Sequence, residues 1–183
     1  MNKNSKYLIG SFTLLFAVIL LANHVYSQAG VNTPTQSQSF KTYQNALFGF
    51  QFQYPSDFPQ IKGEGARVEF PFEPCGDSIE ITVYDLSEPT TLQKYLRAYL
   101  AKYPVNYDTL LLNQTTITPD KIPAIRAEFD IPIGINKLTI GKSILYMTMK
   151  NDTAYVIRYF FGNETIDKHL SGFQTIVDTF KIT

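Results

Sequence analysis

Aromatic and polar residues alternate through residues 48–54, and the alternation stops at Tyr-Pro-Ser-Asp. Aromatic rings at every second position form one apolar face, which is the pattern of a β-strand with one buried side. Pro55 lacks the N–H that a further ladder hydrogen bond would need, and Ser56 and Asp57 favour a turn. A strand is therefore predicted to end here, with Phe58 packed at the foot of the turn.

Similar alternation continues along the chain and predicts an α+β fold. Further strands are predicted at residues 67–72, 78–86, 108–118, 123–132, 143–150 and 153–161, and those at 67–72, 78–86 and 123–132 show one apolar and one mainly polar face. Asn151 and Asp152 form a two-residue link typical of antiparallel hairpins. We expect a mainly antiparallel central sheet of about six or seven strands, packed with two helices as a sandwich.

Apolar residues spaced by three and four predict the two helices. The first covers residues 87–103, begins at Ser87 or Glu88, and runs for about four turns. The second covers residues 163–181, and its apolar stripe includes Phe173 as one of the best-buried residues. Both helices are expected to lie next to each other on the sheet.

The first 27 residues have the layout of an export signal. Lys3 and Lys6 precede an apolar run, Tyr7–Ala22, that contains no charge. This segment is either a cleaved signal peptide or an N-terminal membrane anchor, which would be the only membrane contact of the chain. Both alternatives predict an extracytoplasmic protein, secreted or anchored to the outer face of the cytoplasmic membrane.

Residues 28–44 are rich in Thr, Gln, Ser and Asn, a composition that buries too little apolar surface to fold. They are predicted to be a flexible polar tether, and residues 45–183 to be one folded domain. Without residues 1–27 the chain keeps 14 basic and 16 acidic side chains, a net charge of −2. Because the lysines are scattered singly, no nucleic-acid binding is expected.

The strand ending in Tyr-Pro-Ser-Asp-Phe, the mid-chain helix, the hairpin MKNDTAYVIRYFF and the ending FQTIVDTFKI together resemble the PsbP-like family, which shares its fold with Mog1. In particular the chain is similar to short archaeal PsbP-related extracytoplasmic proteins. The resemblance covers residues 43–182. It departs at Phe58, where such proteins often have Trp. The resemblance implies a non-enzymatic accessory or binding domain, but it assigns no functional residue here.

Catalytic and cofactor motifs are missing from the sequence, so we expect no enzyme and no cofactor. The chain has no nucleophile elbow, phosphate-binding glycine loop or His-Glu-x-x-His helix. Outside the export signal its one histidine is His169, which helical phase places at the solvent edge of the terminal helix. Cys75 is the single cysteine and is expected to be a partly buried side chain in a turn. An enzyme would need a polar cluster around one of these two residues.

Acidic residues in two nearby loops are candidate ligands for a hard cation such as Ca²⁺. Glu64, Glu73 and Asp77 lie on either side of one predicted strand, with Cys75 among them. Their spacing matches no ligand motif, so they are expected to be solvated loop acids and no metal site is predicted.

Three surfaces are candidates for binding. The rows Arg67/Glu69 and Arg126/Glu128/Asp130 form either a cleft or a solvated sheet face with ion pairs. Residues 132–143 form either an apolar binding loop or a further hairpin.

Asn113, Asn151 and Asn163 begin possible N-glycosylation triplets, of which Asn151 is expected to be the most accessible.

These observations favour a non-catalytic extracytoplasmic accessory module that binds a protein partner, itself expected to be membrane-associated, or supports a membrane complex. The alternative is a small-ligand or metal-ion binding protein, for which Ca²⁺ is one candidate.

Overall fold

The computed structural model describes residues 38–74, 76–88, 90–103, 105, 107–117, 120–133, 139–162 and 166–183. Residues 38–183 form one compact unit. The predicted export signal, most of the predicted tether, Cys75 and Asn163 lie outside the described residues. Among the residues described, no helix is long and apolar enough to cross a membrane.

The predicted α+β class is confirmed. The larger sheet is entirely antiparallel, in the order β3-β4-β8-β7-β6-β5. Its strands are β3 (Arg67–Phe72), β4 (Asp77–Asp85), β5 (Leu111–Ile117), β6 (Ile122–Ile133), β7 (Thr139–Lys150) and β8 (Thr153–Gly162). Asn151 has a φ of 55° in the two-residue turn between β7 and β8, a conformation that asparagine tolerates.

A second, three-stranded sheet corrects two expectations. It has the order β1-β2-β9 and consists of β1 (Phe40–Asn45), β2 (Phe50–Pro55) and β9 (Lys181–Ile182). The aromatic strand that ends at Pro55 therefore belongs to this sheet and not to the central one. The tether prediction was also wrong for residues 40–44, which form β1, because Tyr43 stacks on Phe52 at a centroid distance of 5.2 Å.

The helices α1 (Leu92–Leu100) and α2 (Ile166–Thr179) lie on opposite faces of the larger sheet, not side by side. Leu145 of β7 packs with the α1 core, whereas its neighbour Ile144 packs with the α2 core. Successive strand residues point to opposite faces, so each helix covers its own face. The first helix is also shorter than predicted: the Thr91 hydroxyl accepts a hydrogen bond from the Lys94 amide at 3.2 Å and caps it.

Phe58 connects the Tyr-Pro turn to the core, as the sequence predicts. Its ring packs edge-on against Phe70 and Phe72, at centroid distances of 5.5 and 5.0 Å. On α2, Gly172 lies directly against this ring, and a Cβ at position 172 would overlap it. Glycine is therefore needed in the middle of α2 by the close approach of Phe58, despite its poor helix propensity.

Candidate functional site

A groove runs between α1 and β5 at one edge of the larger sheet, and we call it the edge groove. It has a volume of about 240 Å³ and is lined by Gln93, Leu96, Arg97, Leu112, Asn113, Gln114 and Ile125. Leu96 of α1 and Ile125 of β6 are buried and form its floor. Leu112 of β5 is 52% exposed and forms one side. The edge groove is therefore an apolar recess bounded by a helix and an edge strand.

The strand β5 exposes more apolar surface than the strands inside the sheet. Leu111 and Leu112 are both large exposed hydrophobic residues, and neighbouring strand residues point to opposite faces. Within the described part of the chain, β5 pairs with β6 and has no partner on its other side. An edge strand of this kind presents backbone N–H and C=O groups on which another strand can pair.

The charge around the edge groove comes from α1. Arg97 is exposed on the helix side of the groove and forms no ion pair with any described residue. Leu111–Ile117, which forms the opposite side, contains no charged residue. The groove therefore combines an apolar floor with one available cationic group, a combination that suits an apolar segment carrying a carboxylate.

A buried ion-pair network occupies the α1 side of the sheet at its other edge. Glu80 of β4 accepts hydrogen bonds from Arg158 and Arg67, each at 3.1 Å, and from the Thr82 hydroxyl at 2.5 Å. Burial alone would lower the pKa of Arg158, but Tyr99 and Glu80 beside it raise that pKa above its ordinary value. One face of β4 carries polar residues, as the sequence predicts. Glu80 and Thr82 on this face are nevertheless buried, because the network covers them.

Tyrosines of α1, of the turn that follows it and of β4 lie close to this network. The Tyr103 ring lies 5.1 Å from the Arg158 guanidinium, and its hydroxyl donates to the Tyr99 hydroxyl at 3.3 Å. Burial raises the pKa of Tyr95 to about 12 and also raises the pKa values of Tyr84 and Tyr99. Tyr84, Tyr95 and Tyr99 therefore stay protonated at neutral pH.

The remaining charged rows are ion-paired sheet surface. Arg67 bonds across to Glu80 and also contacts Glu69 at 3.4 Å. In the second row Arg126 contacts Glu128 at 2.7 Å, and Asp130 lies 3.9 Å from Lys142 of the next strand. Of the two alternatives predicted for these rows, a cleft or a sheet face with ion pairs, the second describes both.

For the segment 132–143 the structure supports a hairpin rather than a binding loop. Strands β6 and β7 pair out to Ile133 and Thr139, so the ends of this segment complete the sheet. Residues 134–138, between these ends, lie outside the described residues. Ile140 is exposed on β7.

His169 lies on the flank of α2, half-buried, in a cleft of about 380 Å³. Its ring stacks on Phe72 at a centroid distance of 3.8 Å, so it is not the simple surface residue that helical phase suggests. Burial and the charge of Lys168 lower its pKa. The cleft is also lined by Asp57, Lys62 and Glu73. Cys75, the other residue around which an enzyme would need a polar cluster, lies outside the described residues.

The acidic loop residues do not assemble into a metal site in the described part of the chain. No group of three His, Cys, Asp or Glu side chains that could hold an ion occurs there. Glu64 and Glu73 are exposed, whereas Asp77 is buried and accepts a hydrogen bond from the Gly162 amide at 3.0 Å. Asp77 therefore serves to fix the end of β8.

Two of the glycosylation candidates can be placed on the fold. Asn113 is exposed on β5 and lines the edge groove, and Asn151 is exposed in the β7–β8 turn. Modification at either residue stays a prediction. The edge groove itself was not predicted from the sequence, although two adjacent leucines followed by an uncharged polar stretch indicate an edge strand exposed on both faces.

No protein-family model matches the sequence, and no curated protein matches it significantly. Solved structures do resemble the fold. Cyanobacterial PsbP (CyanoP) from Synechocystis sp. PCC 6803 aligns with a TM-score of 0.51 and 13% identity, over 85% of this chain and 99% of that chain. The Ran-binding protein Mog1p of Saccharomyces cerevisiae aligns with a TM-score of 0.52 and 10% identity, over 80% of this chain and 96% of that chain.

A crystal structure from Bacteroides thetaiotaomicron gives a TM-score of 0.53 at 14% identity. The alignment covers 78% of this chain but 48% of the Bacteroides chain, so this chain spans about half of that protein. At these identities the similarity is one of fold. The chain therefore has the α+β fold that PsbP and Mog1 share, as the resemblance in sequence implies.

Proposed function

We propose that this chain is a non-catalytic binding module that acts outside the cytoplasm and receives a protein partner at the edge groove. The observation that carries the proposal is the combination of an edge strand, β5, with an apolar groove beside it that leaves Leu112 exposed. Exposed apolar surface next to unpaired strand edges is typical of protein interaction sites.

The fold neighbours support a binding role. One of them is named as a Ran-binding protein and another as cyanobacterial PsbP. Neither name identifies a partner for this chain, but both agree with an accessory module of this fold. The export signal predicted at residues 1–27 supports an extracytoplasmic location, and a membrane-associated partner would be within reach of an anchored chain.

Site-specific photo-crosslinking tests the proposal in the native membrane. A photoreactive amino acid replaces Leu112 in the full chain, and a matched variant carries it at Leu47, which is 83% exposed but does not line the groove. We expect a discrete crosslinked protein from position 112 and none from position 47. Failure at both positions, or the same products from both, would contradict a partner at the edge groove.

The location is tested separately by protease added to cells whose outer envelope has been opened, so that the outer face of an intact cytoplasmic membrane is accessible. Digestion of residues 45–183 under conditions that leave a cytoplasmic marker intact is the expected result. Full protection would refute the extracytoplasmic assignment, while leaving the crosslinking result to decide on the partner.

A further inference from the structure

We infer that the occupant of the edge groove is an extended segment of a partner protein that carries an acidic residue two positions from a large apolar residue, and that it adds a strand to β5. This inference rests on the proposed function, since it names the chemistry of the partner that the groove receives.

The backbone of β5 provides the pairing edge. The strand has seven residues, Leu111–Ile117, and is antiparallel to β6 along its whole length. In an antiparallel pair, alternate residues direct their N–H and C=O groups away from the partner strand. Three or four residues of β5 therefore offer these groups to a further strand, which is the arrangement used in strand addition.

The edge groove provides the side-chain contacts. Its volume of about 240 Å³, with Leu96 and Ile125 as the floor, accepts an apolar side chain, which would also cover the exposed face of Leu112. Alternate residues of an added strand point to the same face of the sheet. A carboxylate two positions from the apolar residue would thus lie on the same side as the exposed guanidinium of Arg97.

A second copy of this chain fits the edge less well than a different protein. Pairing of two β5 strands would bring no acidic residue to Arg97, because Leu111–Ile117 is uncharged. It would instead place a second Arg97 on the same assembly. The charge of the groove therefore favours a partner that supplies the carboxylate.

The probe for this inference is a phage-displayed library of random 12-residue peptides, panned in parallel on the full chain and on its Arg97→Glu variant. We expect the parent chain to enrich Asp or Glu two positions from Leu, Ile or Phe, and the variant to enrich Lys or Arg at the same place. The Arg97→Gln variant should bind a selected acidic peptide about two- to fivefold more weakly than the parent chain does, and the difference should be smaller at high salt. Arg97 is exposed, so unchanged thermal midpoints of both variants are the folding control.

Backbone methylation of a selected peptide tests the strand geometry. Methyl groups on alternate amides should each weaken binding by about tenfold, whereas methyl groups on the intervening amides should be tolerated. Equal tolerance at every amide, or the same peptides selected by the parent and by Arg97→Glu, would overturn the inference. If crosslinking at position 112 persists in that case, the proposed function stands with a different occupant, and if it is also lost, both fail. If sedimentation equilibrium shows a dimer of the parent chain and a monomer of the Leu112→Asp variant, the occupant of the edge groove is a second copy of this chain and not a different protein.

Discussion

Replacing Glu80 by Gln should destabilise the protein severely, because it leaves a buried charge without its partner. The Glu80 side chain is 8% exposed, and the Arg158 side chain that bonds to it at 3.1 Å is 16% exposed. Removing one member of a buried ion pair typically costs about 3–5 kcal/mol. Gln keeps the size of Glu and one acceptor oxygen, so we expect a loss of about 3 kcal/mol, a large part of the roughly 5–15 kcal/mol that stabilises a domain.

Glu69→Gln is the matched control, since Glu69 pairs with the same Arg67 at the surface. That pair spans 3.4 Å, and the Arg67 side chain is 59% exposed, so its loss should cost about 0.5 kcal/mol or less. Urea unfolding of the three proteins measures both values as differences in the free energy of unfolding. An unfolding free energy of Glu80→Gln within about 0.5 kcal/mol of the control would refute the view that the network is buried and energetically coupled.

A double variant separates the loss of a partner from the value of the pair itself. Replacing both Glu80 and Arg158 by Met removes the two charges together. A buried pair replaced by apolar residues of similar size is often neutral in stability, so the double variant should be more stable than Glu80→Gln. A double variant less stable than Glu80→Gln would show instead that the pair is strongly stabilising in its own right.

Three further predictions concern α2. Phe173→Ala should lower the free energy of unfolding by about 3–5 kcal/mol, because the ring is fully buried, whereas Ala at the exposed neighbour Gln174 should change it by about 0.5 kcal/mol or less in the same urea titration. Gly172→Ala should cost about 1–3 kcal/mol despite the better helix propensity of Ala, and a second change, Phe58→Leu, should reduce the added cost if the clash with this ring is its cause. The pKa of His169 is lowered in the folded protein, so the unfolded chain binds a proton more readily, and stability should fall as the pH drops below the ordinary histidine value of 6.5. His169→Gln should make the free energy of unfolding, measured in urea titrations across that range, depend less on pH. An unchanged pH dependence would contradict a lowered pKa at His169.

Local patterns in the sequence predict the elements whose faces are set by their own residues. The alternating apolar residues of β3 and β6 and the 4-3 spacing in α2 give the correct buried faces, because each apolar stripe needs a single covering layer. The Asn151-Asp152 turn is likewise local chemistry.

Which strands pair, and which element covers a given face, depends on residues far apart in the sequence. The predictions from local patterns fail at these points. The segment Phe40–Asn45 is mostly exposed and looks like a tether, but it is ordered as β1 by pairing with the aromatic β2. Glu80 on β4 reads as a solvent-facing residue until Arg158, 78 residues later, is placed next to it. The edge groove depends in the same way on α1 and β5, which are separated in sequence and converge on one sheet face.

The strand register decides whether a glycan at Asn113 would interfere with the edge groove. Asn113 lies between Leu112 and Gln114 on β5, so its side chain, and any glycan attached to it, points to the sheet face opposite Leu112 and α1. A glycan at Asn151 would also leave the groove open, because that residue lies in the turn between β7 and β8 and does not line the groove. Modification at either residue is therefore compatible with side-chain contacts in the groove. If the organism glycosylates both triplets, the glycosylated protein should still give the crosslinked product from position 112, and its loss would show that the glycan at Asn113 reaches the pairing edge of β5.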